Sequence, residues 1–71
     1  MIVKKYIEDF LGKIIDVGIP HLYEERLFYF TGELLELTDE YLILKNNQGI
    51  KQIQLKSIVE ISLHKGDQDE N

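Results

Sequence analysis

Residue types that carry chemistry are sparse in this chain. Cysteine is absent, and the two histidines, His21 and His64, are far apart and lack ligand spacing. The sequence therefore predicts no disulfide and no metal site. It also places no partner acid or nucleophile with either histidine, so no catalytic residue is expected. The five glycines are single and scattered, which argues against a glycine-rich phosphate loop. We expect a non-enzymatic protein without a cofactor.

Length and charge narrow the class of protein further. The chain has 71 residues, which suffices for one domain near the lower limit of independent stability. Because disulfides and metals are not expected to support so small a core, oligomerisation is the remaining support. The net charge of −5 argues against broad electrostatic binding to nucleic acid, but it leaves room for a small basic pocket.

The apolar runs of the chain are all short. The opening MIVKKYIEDF has no apolar region long enough for a signal peptide. No run approaches the roughly 18 apolar residues of a membrane span. Together with the lack of cysteine, this favours a cytoplasmic protein without a membrane partner.

Periodicity predicts one helix followed by strands. Apolar residues at helical spacing indicate a short amphipathic helix over 2–11, ended by Gly12. Turn signals at Thr38-Asp39-Glu40 and at 46–49 separate the later apolar runs. The predicted strands cover residues 13–19, 26–37, 41–46, 50–55 and 58–63.

The second predicted strand should be bent. Phe28, Phe30 and Leu34 share one face, whereas Leu35 and Leu37 fall on the opposite face. This change of phase near 32–35 predicts a bend or a bulge that lets one long strand curl into both halves of a small barrel.

The sequence thus predicts a mainly β fold. A short N-terminal helix is followed by a five-stranded, strongly bent antiparallel barrel over residues 1–63, and residues 64–71 form a polar, disordered tail. A solitary SH3-like barrel is a competing fold. An OB-fold is less favoured, because its helix usually lies between strands three and four.

Several short motifs carry a family resemblance. They are Gly32-Glu33-Leu34, Thr38-Asp39, Leu42-Ile43-Leu44-Lys45-Asn46, Ser57-Ile58 and Ile61. In this order, after a helix, they resemble the Sm-like barrels (Sm, Lsm and Hfq-type), and GELLELTDEYLILKN is similar to a stretch of the bacterial Hfq-type RNA chaperones. The likeness covers residues 3–63.

The resemblance implies a homo-oligomeric ring. In Sm-like proteins the fifth strand of one subunit pairs with the fourth strand of the next, and unpaired sheet edges favour such pairing on physical grounds. The expected interface residues are Ile53, Leu55, Ile58, Val59, Ile61 and Leu63.

The resemblance also implies an RNA pocket at two pore-side turns. The residues expected there are Thr38, Asp39, Tyr41, Lys56 and Ser57. In one register Asp39 takes the family's aspartate position and Tyr41 is the stacking ring. Counted back from Lys45-Asn46, Thr38 takes the aspartate position and Glu40 the stacking position.

The pocket departs from the family pattern in both registers. Leu42 or its neighbour stands where the family has asparagine, and Lys56-Ser57 replaces Arg-Gly. Lysine supplies a cation without the planar fork of arginine. Two hypotheses follow: a ring that binds single-stranded RNA, and a protein-interaction or structural oligomer that has lost RNA binding.

Overall fold

The computed structural model describes residues 4–65. It contains one short helix, two 3₁₀ turns and five strands. The helix is α1 (Lys4–Ile7), followed by the first 3₁₀ turn (Glu8–Phe10). The strands are β1 (Ile14–Pro20), β2 (Leu27–Leu37), β3 (Tyr41–Asn46), β4 (Gly49–Gln54) and β5 (Glu60–Leu63), with the second 3₁₀ turn (Leu55–Ser57) before β5.

All five strands form one antiparallel sheet in the order β4-β3-β2-β1-β5. The prediction of a mainly β fold with one N-terminal helix and five antiparallel strands is confirmed. The sheet is open rather than closed: among the described residues, β5 pairs only with β1 and β4 pairs only with β3. Within residues 4–65, β4 and β5 are therefore the two edges of the sheet.

One face of the sheet packs a continuous apolar core. The strands supply alternate residues, as the pleat requires, while α1 and the second 3₁₀ turn close the core. The buried residues are Ile7, Ile15, Val17, Leu34, Leu42, Leu44, Ile53, Leu55 and Ile58.

The predicted bulge in β2 is confirmed. Leu34 pairs with Leu44 and Glu36 pairs with Ile43, so Leu35 has no partner in the ladder. The extra residue resets the alternation, because Leu37 packs against the core while Leu35 is exposed. The expectation that Leu35 and Leu37 share a face was therefore wrong.

The helix ends earlier than predicted. Within the described residues α1 covers Lys4–Ile7, and the chain then tightens into the first 3₁₀ turn instead of continuing as a helix to residue 11. One turn of helix presents few side chains to a core, so Ile7 is buried while Tyr6 is exposed. Gly12 follows with a φ of 82°, which suits glycine at a helix end. Residues 2 and 3 lie outside the described residues.

The fifth strand is also shorter than the predicted 58–63. The second 3₁₀ turn points Ile58 into the core, and regular pairing with β1 begins at Glu60. Pairing continues past β5, since the amide of His64 donates to the carbonyl of Ile14 at 2.9 Å. His64 is thus held by the sheet, and residues 66–71 of the predicted tail lie outside the described residues.

Candidate functional site

The structure brings together the two turns in which binding residues were predicted. The amide of Leu55 donates to the carbonyl of Glu40 at 2.9 Å, and Tyr41 pairs with Gln54 across β3 and β4. These contacts join the β2–β3 turn to the second 3₁₀ turn. We call residues 38–41 and 55–57 together the turn pair.

Thr38 has a structural role in the turn pair. Its Oγ1 accepts hydrogen bonds from the amides of Glu40 and Tyr41, each at 3.1 Å. Its own amide donates to the carbonyl of Tyr41 at 2.9 Å. A threonine hydroxyl used in this way replaces backbone partners that the turn would otherwise lack.

Asp39 connects the turn pair to the N-terminal helix. Its Oδ1 lies 3.1 Å from Nζ of Lys4, and the side chains are 88% and 39% exposed respectively. Lys4 was not among the residues predicted for this site. The contact adds a cation from α1 beside the β2–β3 turn.

The other predicted residues of the turn pair differ in exposure. Tyr41 is half-buried, whereas Lys56 and Ser57 are exposed. Lys56 offers a mobile point charge of the kind that contacts phosphate without fixing its orientation. Two acids, Asp39 and Glu40, stand on the same turn and are exposed.

The predicted interface residues divide into two groups. Ile53, Leu55 and Ile58 lie in the core of the single chain. Val59 and Leu63 are exposed by 51% and 41%, and Ile61 is half-buried against the core. The last three lie in and beside β5, at the open edge.

A polar cluster that the sequence did not reveal lies on the opposite face of the sheet. Asp16 on β1 stands directly across from Thr31 on β2, whose hydroxyl donates to its carboxylate. Nδ1 of His64 lies 3.0 Å from Oδ1 and 3.2 Å from Oδ2 of the same carboxylate. One acid therefore connects three segments of the sheet.

Antiparallel pairing of β1 with β5 explains why His64 reaches Asp16. Asp16 is paired with Ser62, and His64 is two residues further along, which is the same face of the sheet. The sequence shows that Ser62 and His64 alternate along one strand. It does not show that this strand lies beside Asp16, which depends on the pairing of β5 with β1.

Beside this cluster lies a surface cleft of about 440 Å³. The side chain of Asn46 lines the cleft and is fixed by two hydrogen bonds. Its Nδ2 donates to the carbonyl of Thr31 at 2.8 Å, and its Oδ1 accepts from the amide of Gln48 at 2.8 Å. In residues 4–65 no group of three or more acids and histidines could hold a metal ion. The cleft lining includes Thr31, Glu33, Lys45, Asn46, Asn47 and His64.

A second cross-strand contact on this face involves Tyr29. Its hydroxyl donates to Oε1 of Glu60 at 2.8 Å, and its ring lies over Gly18. The hydrogen bond to Glu60 raises the pKa of Tyr29 above 10.0, with smaller contributions from burial and from the charges of Glu60 and Asp16.

The chain was compared with protein-family models, with curated proteins and with solved structures, and none of the three comparisons gave a match. In the described part of the chain, no helix is long and apolar enough to cross a membrane.

Proposed function

We propose that this protein is an Sm-like homo-oligomer in which β5 of one copy pairs with β4 of the next, closing a ring. The observation that carries the proposal is that β4 and β5 are the two edges of one five-stranded sheet. Within residues 4–65, each edge presents unpaired backbone donors and acceptors, which a strand of another copy can satisfy. The strand order after a short helix also agrees with the family resemblance.

Side chains at the two edges support this pairing. Val59 and Leu63 alternate with Glu60 and Ser62, so they point to the same face as Ile61, which packs against the core. A strand added at this edge would cover them and extend the core into the next copy. Ile50 on β4 is 66% exposed and offers further apolar surface. Each Å² of apolar surface buried contributes about 25 cal/mol.

The contact is head-to-tail, so it closes only in a ring or continues as a filament. A ring leaves no copy with an open edge, which removes a site of aggregation. Sedimentation velocity of the full chain at micromolar concentration tests the proposal. We expect a discrete species several times the mass of one chain. A stable monomer would contradict it.

The proposed ligand of the ring is single-stranded RNA at the turn pair. In support, the backbone bond between Leu55 and Glu40 joins the turns that carry Tyr41, whose side chain is half-buried, and Lys56, which is exposed. Unpaired bases stack on such rings, and lysine contacts the phosphates. In a ring the site recurs once per copy, so several weak contacts act on one strand together.

A second candidate is a protein-interaction or structural oligomer without an RNA site. Asp39 and Glu40 repel phosphate at the turn pair, and the hydroxyl of Thr38 is used within its own turn. Leu22 and Tyr23 are highly exposed on the β1–β2 connection. Exposed tyrosine is typical of protein-binding surfaces.

Fluorescence anisotropy with labelled oligouridine and oligoadenine at low salt separates the two candidates. The RNA hypothesis predicts saturable binding that Lys56→Ala weakens, whereas Lys13→Ala, with the same change of charge on another exposed lysine, does not. If the protein is oligomeric but binds neither RNA at high micromolar concentration, the second candidate is favoured.

A further inference from the structure

The contact between Lys4 and Asp39 joins elements that are distant in the sequence. Lys4 belongs to α1, yet its Nζ lies 3.1 Å from a carboxylate oxygen on the β2–β3 turn. Asp39 is 88% exposed. Solvent and a ligand can therefore reach the carboxylate from outside.

An ion pair of this kind is easily replaced. Exposed lysine–carboxylate pairs contribute little to stability, because water screens the charges and both side chains lose freedom. A phosphate oxygen carries the same type of negative charge as the carboxylate and accepts the same charge-assisted hydrogen bond. It can therefore take the place of Asp39 at the ammonium group.

We propose that Lys4 is a phosphodiester-binding residue of the turn pair and that Asp39 is a built-in competitor for it. The inference rests on the proposed RNA function. Lys4 is held to the turn through Asp39, and Lys56 is held to it through the bond between Leu55 and Glu40. The cation of Lys4 therefore stands at the β2–β3 turn, while Lys56 belongs to the adjoining 3₁₀ turn. The first cation is occupied by an internal anion until a phosphate displaces it.

The two possible roles of Asp39 predict opposite effects of Asp39→Asn on RNA binding. If Asp39 serves as the family's aspartate, Asp39→Asn should weaken RNA binding. If Asp39 competes with phosphate for Lys4, the same substitution frees the lysine and strengthens binding. Asparagine keeps the size of the side chain and its turn propensity, so the fold is little affected.

The experiment compares Asp39→Asn, Lys4→Gln and the double variant with two controls in the full chain. Glu25→Gln makes the same change of charge as Asp39→Asn on the β1–β2 connection, and Lys5→Gln makes the same change as Lys4→Gln one residue further along α1. Binding of labelled oligouridine is measured by anisotropy across a salt series. An abasic oligonucleotide with the same number of phosphates is the second probe.

We expect Asp39→Asn to bind both probes about three- to fivefold more tightly, in line with release of an exposed ion pair. Lys4→Gln should weaken binding. It should also make the negative slope of log K against log salt less steep by about 0.7, the value for one phosphate contact to a single strand. In the double variant the gain from Asp39→Asn should disappear. The control variants should bind like the original protein.

Three results would overturn the inference. Weaker binding of Asp39→Asn, with binding by the original protein intact, assigns Asp39 to base contact and leaves the RNA function standing. A gain that persists in the double variant, or that Glu25→Gln reproduces, reflects net charge alone. No binding of either probe by any variant refutes the inference together with the proposed RNA function.

Discussion

Close approach of β3 to β2 makes Gly32 the position in the sheet least able to accept a side chain. A Cβ at this position would lie 2.8 Å from the carbonyl oxygen of Lys45 and 3.2 Å from Cβ of Leu44. Backbone cannot move aside as the end of a flexible side chain can. Gly32→Ala should therefore lower the free energy of unfolding by about 1–3 kcal/mol, measured by urea denaturation.

Gly12→Ala is the matched control for Gly32→Ala. Among the described residues, no heavy atom apart from Gly12 and its two chain neighbours lies within 4 Å of the site of its Cβ, but its φ of 82° strains any residue other than glycine. We expect a smaller loss of about 1 kcal/mol. A Gly32→Ala protein as stable as the original would refute the steric account.

The hydrogen bond from Tyr29 to Glu60 gives a prediction about alkaline pH. The raised pKa of Tyr29 means that its neutral hydroxyl is favoured in the folded chain. The resulting stabilisation is complete below pH 10 and is lost as the pH rises through the folded-state pKa. Ultraviolet titration of tyrosinate, with Tyr29→Phe to identify the signal, should show Tyr29 ionising above its ordinary value.

Glu60→Ala tests the cause of the raised pKa. It removes the acceptor and the nearest negative charge, so the pKa of Tyr29 should fall back towards 10.0, with burial and Asp16 leaving a small residual increase. Ser62→Ala, on the same face of β5, should leave the titration unchanged. Identical curves for Glu60→Ala and the original protein would exclude Glu60 as the main cause.

Individual residues were predictable from the sequence to the extent that their roles are local. Thr38 was recognised as part of a turn, and its hydroxyl bonds to amides two and three residues away. Lys4 and His64 gave no comparable signal. Their partners, Asp39 and Asp16, lie 35 and 48 residues away along the chain.

Among the elements, β2 gives the clearest test of how the bulge selects the core. Leu34→Ala should lower the free energy of unfolding by about 2–5 kcal/mol, because the side chain is fully buried and leaves a cavity. Leu35→Ala, at the exposed bulge position, should cost less than about 1 kcal/mol. Urea denaturation of both variants measures the difference. Equal losses would mean that the bulge lies elsewhere.

Strand positions were predicted more accurately than the helix. The turns on either side of β3 have strong signals in Thr38 and in Asn46–Gly49, and β3 was placed at 41–46 as observed. The helix was predicted to continue to residue 11, because the apolar spacing matches a longer helix, whereas α1 ends at Ile7. Gly32 and the change of apolar phase indicated the bulge, but Leu34, Leu35 and Leu37 are all apolar. Pairing with β3 decides which of them is buried.

For the whole molecule, the edge of β5 is where assembly can be tested without disturbing the fold. Val59 is 51% exposed in the single chain, so Val59→Lys should leave the fold intact. In the proposed ring it would bury an uncompensated charge at the junction between copies. We expect the variant to sediment as a single chain with an unchanged circular dichroism spectrum.

Leu22→Lys is the control for the edge variant. It introduces the same charge at an exposed leucine on the β1–β2 connection, outside the edge strands β4 and β5. It should assemble as the original protein does. If Val59→Lys assembles equally well, copies do not associate through this edge.

The local features of the chain could be predicted from its sequence alone. They are a mainly β domain without cysteine, the turn at Thr38, the hairpin at Asn46–Gly49 and the bend beside Gly32. These features depend on residues that are neighbours or lie within one strand. The tertiary structure alone decided that β5 joins β1, which leaves β4 and β5 as edges and brings His64 to Asp16 and Lys4 to Asp39. Such pairings arise when the whole sheet buries its apolar face at once, and no short stretch of sequence encodes which distant strands will meet.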